Sequence, residues 1–217
     1  MPISTSIIER RLTMAQVTID NARSVPGLLE RLSEYGYDAA QLQQGRALYE
    51  RARTLHQQRQ HARGDRITAA DARAAAWQQG NLTYRRYVKL ARVAFKSERG
   101  VLEKLGLHGS RKHSLFGWLT QAGDFYRTAL DDEDILARLA RFGLTQARLE
   151  AGLAEVRAVE AANLAQKQGR GDIRSATKAS EAASAELNAW MRDFITVARV
   201  ALDDQPHLLD KLGLTRA

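Results

Sequence analysis

Five histidines are the side chains of this chain best suited to metal binding or to proton transfer near neutral pH. A helical bundle holds a metal through ligands three or four positions apart on one helix face. The spacings here do not fit. His56 and His61 are five apart and diverge around a helix, His108 and His113 fall in a polar connecting segment, and His207 opens a short terminal helix. No Glu-x-x-His occurs. The sequence therefore predicts no metal ligands and no cofactor, with the histidines solvated or capping helix ends.

Asp131-Asp132-Glu133-Asp134 has the composition of a cation site or of an acid and base pair. Its position favours another role: it stands where a helix should begin, and carboxylates there accept from free N–H groups and complement the helix dipole. The residues 107 positions earlier are Ser24, Val25, Pro26 and Gly27, so no acidic site repeats. Arg63-Gly64-Asp65 and Arg170-Gly171-Asp172 spell an adhesive tripeptide, but glycine as a helix stop and aspartate as the next cap explain two of its three letters. A turn between two long helices is expected at each.

Basic residues gather beside those expected turns, Arg59, Arg63 and Arg66 in the first half and Lys167, Arg170 and Arg174 in the second. With the N-terminus of the following helix, they form a candidate anion-binding set for phosphates. No aromatic platform for single-stranded nucleic acid accompanies them, and no helix-turn-helix or zinc-finger spacing occurs. Trp77, Trp118, Trp190 and the six tyrosines fall mostly on apolar stripes and are expected in the core. Trp77 stands apart because the residue 107 positions later is Ser184, small and polar, which suggests a local pocket or contact in one half alone. No activated nucleophile, phosphate-cradling glycine loop or dinucleotide fingerprint is present, so no catalytic residue is assigned and a non-enzymatic role is expected.

The elements that must position these residues are helices. The 217 residues are 44% hydrophobic, enough for a substantial core, and include only three prolines, with many alanines, leucines and arginines. An all-α fold follows. There is no cysteine, so stability must come from packing. No stretch approaches about 18 consecutive apolar residues, and Met1 to Leu12 lacks an apolar signal region, so no membrane association is expected and a cytoplasmic location is the default. The formal net charge of +8 is unevenly spread: residues 1–107 carry 18 basic and 10 acidic side chains, and residues 108–217 carry 15 of each.

The strongest signal is an internal repeat. Residue n against n+107 agrees at about thirty of about a hundred positions. Ala91-Arg92-Val93-Ala94 returns as Ala198-Arg199-Val200-Ala201, and Leu32, Gly36, Leu42 and Gly45 return as Leu139, Gly143, Leu149 and Gly152. This reads as a tandem duplication of a helical-bundle unit, with units at 1–107 and 115–217 joined by a short basic segment at 108–114. Stop and cap signals predict helices over 6–23, 26–35, 39–62, 66–96 and 99–106, then 115–130, 133–142, 146–169, 173–203 and 205–213. In each copy the long third and fourth helices should form an antiparallel hairpin with a projecting tip. The stripe Ala176, Ala179, Ala183, Leu187, Trp190, Phe194, Val197 and Ala201 should pack on Trp118, Leu119, Ala122, Phe125 and Tyr126.

Function is not written in any motif. The expectation is a non-enzymatic helical scaffold or protein-interaction module, offering helix faces to a protein partner or to another copy of itself. Apolar residues left exposed beyond the core stripes would mark such faces. The alternative is a basic module binding anions or nucleic acid through the first copy and the two hairpin tips.

Overall fold

The computed structural model describes residues 5–214, and every regular element among them is a helix. In chain order these are α1 (Thr5–Ser24), α2 (Leu28–Glu34), α3 (Ala39–Ala94), α4 (Arg99–Lys104), α5 (Leu115–Asp131), α6 (Glu133–Ala140), α7 (Gln146–Ala201) and α8 (Pro206–Lys211). The long helices α3 and α7 begin and end at an offset of 107 residues, as do α4 and α8. The 107-residue offset is thus exact for these two pairs of elements.

Most of the expected ends are built as the sequence implies. Gly36 and Gly143 take positive φ, and the N–H groups of Tyr37 and Leu144 donate back to the carbonyls of Leu32 and Leu139, closing the chain around the glycine. Gly106 and Gly213 do the same, with Leu107 donating to Leu102 and Leu214 to Leu209. Asp38 accepts from the N–H of Gln41 at 2.9 Å, and Asp132 from that of Ile135 at 3.1 Å. Within the run Asp131–Asp134, Asp131 ends α5, Asp132 caps α6, and Glu133 and Asp134 lie in the first turn of α6.

The expected turns at Gly64 and Gly171 do not form. Each lies inside a continuous helix of 56 residues, neither has positive φ, and a Cβ on either would meet nothing within 4 Å. No hairpin therefore closes within a copy. The physical reason lies one residue further on. At the true stops the residue after glycine is apolar and buried or half-buried, whereas Gly64 and Gly171 are followed by exposed Asp65 and Asp172. A glycine inside a helix costs only about 1 kcal/mol relative to alanine, too little to end one without a turn that buries something in return.

Continuity of α3 and α7 changes the domain organisation. The two compact units are Met1–Arg63 with Asp172–Ala217, and Gly64–Gly171, and not the expected 1–107 and 115–217. The first unit takes α1, α2, residues 39–63 of α3, residues 172–201 of α7, and α8. The second takes residues 64–94 of α3, α4, α5, α6 and residues 146–171 of α7. Residues 1–107 give their first helices to the first unit and their last to the second, and residues 108–217 do the reverse.

In the first unit, Ala15, Ile19 and Ala22 of α1 and Leu28 and Leu32 of α2 share a core with Leu187, Phe194 and Ala198 of α7. Ala183, Leu187, Trp190, Phe194 and Ala201 of the α7 stripe are thus buried, but against α1 and α2, while Ala176, Ala179 and Val197 are half-buried. Trp118, Ala122, Phe125 and Tyr126 of α5 instead meet Tyr84, Val88 and Ala91 of α3, with Leu149, Val156 and Val159 of α7, in the core of the second unit. Within each unit the long segments run antiparallel: Gly45 meets Trp190 while Arg51 reaches Glu186 at 2.7 Å. Ion pairs of α2 and α6 match this exchange, Arg31 binding Asp204 in the first unit and Arg138 binding Glu98 at 2.5 Å in the second.

Candidate functional site

The six basic residues do not sit at tips. They lie along the middle of two uninterrupted helices, Arg59, Arg63 and Arg174 in the first unit and Arg66, Lys167 and Arg170 in the second. Arg59 is half-buried, the other five are exposed, and among the described residues no ion pair holds any of them. In the second unit a Cβ at Gly169 would lie 3.6 Å from the Cα of Arg66, so the two helices pass closely there. Backbone N–H groups in mid-helix are already bonded, so the expected N-terminal anion contact has no donors.

The histidines diverge in fate. His56 is buried, contrary to the expectation of a solvated or capping role, with Nε2 3.8 Å from Glu9 and 3.4 Å from Gln60. His108 stays at the surface, 3.4 Å from Glu103. No group of three or more metal-binding side chains occurs among the described residues. The aromatics are largely core. Tyr84 packs edge-on against Phe125 at 5.6 Å, and Trp190 stacks on Phe194 at 5.2 Å, while Tyr35 is exposed. Burial holds the Tyr84 hydroxyl protonated, its pKa pushed up to about 12, and raises that of Tyr126 further. Trp77 is half-buried on Trp118 at 4.7 Å, so the Trp77/Ser184 difference makes packing in the second unit and leaves buried Ser184 in the first.

One face differs in character between the two units. In the first, α1 and the start of α3 close against each other by polar bonds. The Tyr49 hydroxyl donates to Gln16 at 2.7 Å, and Arg46 pairs with Asp20 at 2.6 Å and Glu50 at 2.8 Å while lying over the Tyr49 ring. The equivalent face of the second unit joins α5 to the start of α7, and every one of those side chains is replaced. Gln16 becomes Gly123, Tyr49 becomes Val156, Arg46 becomes Leu153, Asp20 becomes Arg127 and Glu50 becomes Arg157, each 107 residues later.

Removing the tyrosine ring, the glutamine amide and the arginine bridge leaves a groove of about 290 Å³. Its apolar lining is Phe116, Leu119, Leu153 and Val156, with Gly123 at the α5 wall. Arg127, Arg157 and Glu160 stand around it, and Arg127 pairs with Asp124 at 2.7 Å. Phe116 is 81% exposed, the largest exposure of any large apolar side chain described, and its counterpart in the first unit is Glu9. Val93, Val200 and Leu164 are also exposed, but none of them lines this groove, and single exposed aliphatics are ordinary on helices. The signal was present in the sequence as substitutions between the copies, but only the fold shows that they share one face.

No helix among the described residues is long and apolar enough to cross a membrane. No protein family, curated protein or solved structure matches the chain.

Proposed function

We propose that this chain is a non-enzymatic helical interaction module, built by tandem duplication, whose second unit carries the contact face. The observation that supports this most is Phe116, an exposed phenyl ring beside a groove of mixed apolar and charged lining, at a position where the other copy has a glutamate and a polar-bonded surface. Exposing a large aromatic forfeits about 1.5–3 kcal/mol of burial, and an apolar patch beside a concavity is the usual mark of a protein contact. A face fully closed in one copy and open in its repeat is a difference in use, since both must fold by the same helices.

A photocrosslinking residue placed at position 116, with the same residue at position 9 as control, tests this in cells. A discrete protein adduct from 116 that is missing from 9, and that disappears when Gly123→Gln and Val156→Tyr close the groove, is the expected result. Equal adducts at both positions, or none, would refute the reading.

A second reading, anion or nucleic-acid binding in the cytoplasm, is favoured by the five exposed basic residues without ion-pair partners. It lacks a concave site and the helix N-terminus that first suggested it.

A further inference from the structure

Resting on the interaction reading above, we infer that the groove between α5 and α7 takes a second copy of this chain, with the Phe116 ring of each copy seated in the groove of the other.

Three features of the same face point to this occupant. The groove and its plug occur together: Phe116 projects at one end, and Gly123, Leu153 and Val156 leave the hollow beside it. A twofold axis through that face places knob over hole twice, the self-complementary arrangement of a symmetric dimer. The volume of about 290 Å³ falls at the bottom of the range of about 300–1,000 Å³ for small-molecule pockets and suits one inserted side chain.

Charge is the third feature. The rim carries both signs, Arg127 and Arg157 with Glu160, where a strongly acidic partner would be matched by one sign alone. Residues 157 and 160 are three apart on α7 and therefore share a face, so antiparallel apposition brings Arg157 of each copy towards Glu160 of the other. Such pairs fix register more than they add affinity.

The first unit sets a limit on the assembly. Its equivalent face has Glu9 in place of the plug and the Tyr49–Gln16 bond across the hollow, so it offers neither knob nor hole. A twofold pairing uses the groove and the ring of both copies on this one face, which gives a closed dimer and not an open filament.

Sedimentation equilibrium of the full chain over a wide concentration range tests this, with Phe116→Glu and the double variant Gly123→Gln/Val156→Tyr beside the wild type. Both variants borrow the residues of the first copy, and circular dichroism checks that helix content is kept. The expected result is a concentration-dependent wild-type dimer whose dissociation constant rises at least a hundredfold in each variant. A wild-type chain monomeric throughout, or a dimer indifferent to both variants, would overturn the inference. The mass of the adduct at position 116 separates the two ideas. An adduct with a different protein, with the pure chain monomeric, ends the self-association inference and leaves the interaction reading standing, whereas no adduct and no dimer ends both.

Discussion

A Cβ built on Gly45 would lie 2.3 Å from Cη2 of Trp190, because the indole of α7 rests directly on the backbone of α3. The residue 107 positions later, Gly152, supports a different ring: its Cβ would lie 2.4 Å from Cε1 of Tyr126 on α5. Two glycines 107 residues apart thus each admit an aromatic ring, Gly45 from the long helix α7 and Gly152 from the shorter α5.

Both glycines are buried under rigid rings, so Gly45→Ala and Gly152→Ala should each destabilise the protein. Overpacking of this kind costs about 1–3 kcal/mol, partly offset by the better helix propensity of alanine. Thermal unfolding followed by circular dichroism should show a melting temperature lower by several degrees for each variant. An unchanged midpoint would mean that the rings do not lie on these backbones.

Gly64 and Gly171 should respond in the opposite direction. They are exposed, in mid-helix and open on the side where a Cβ would go. Alanine at either position should stabilise by about 0.5–1 kcal/mol, since it removes backbone freedom from the unfolded chain and fits the helix. A hairpin turning at these glycines would be destabilised by the same substitutions, so the sign of the change in chemical unfolding distinguishes continuous helices from hairpins.

Stability should fall in alkali through the buried tyrosines. The folded state holds Tyr84 protonated to about pH 12, whereas an unfolded tyrosine ionises near pH 10. Above pH 10 the unfolded chain therefore binds fewer protons than the folded one, and stability decreases from there through pH 12, continuing beyond it for Tyr126. Below pH 10 these two groups contribute no slope. The Tyr126 hydroxyl has no hydrogen-bond partner among the described residues, so Tyr126→Phe should be neutral or mildly stabilising at pH 7 and should shrink the alkaline loss. Denaturant midpoints measured from pH 7 to 11 check both statements.

Any contact with a polyanion should pass through the basic residues of mid-helix. Replacing Arg59, Arg63 and Arg66 with alanine should weaken binding to a heparin or nucleic-acid probe, flatten the dependence of log affinity on log salt, and spare helix content. Binding unchanged by the triple variant would remove these three residues from the anion reading.

The glycine stops after α2 and α6 were legible, and so was the carboxylate that caps α3. Gly36 and Gly143 could be placed because an apolar residue follows each, Asp38 because a carboxylate before an apolar stripe accepts the free N–H groups, and the run 131–134 as a helix start without showing which carboxylate is the cap. The stripe through Leu187 and Phe194 was legible too, though its partner was not. The groove face was harder to see, since the exchanges of Gln16 for Gly123 and Tyr49 for Val156 lie on different helices and mean nothing until α5 and α7 are known to touch.

The sequence by itself determined an all-helical chain, where its short helices stop, and a 107-residue period in its side chains. These follow from capping and periodicity, which act over a few residues and leave a local trace. Only the tertiary structure decided that α3 and α7 run through Gly64 and Gly171 and that each core combines residues from both halves of the chain. That choice sets about 1 kcal/mol of local glycine cost against the burial of whole stripes such as Leu187, Phe194 and Ala198. The same stripes would be apolar in either arrangement, so the pattern of residues is identical and only the packing differs.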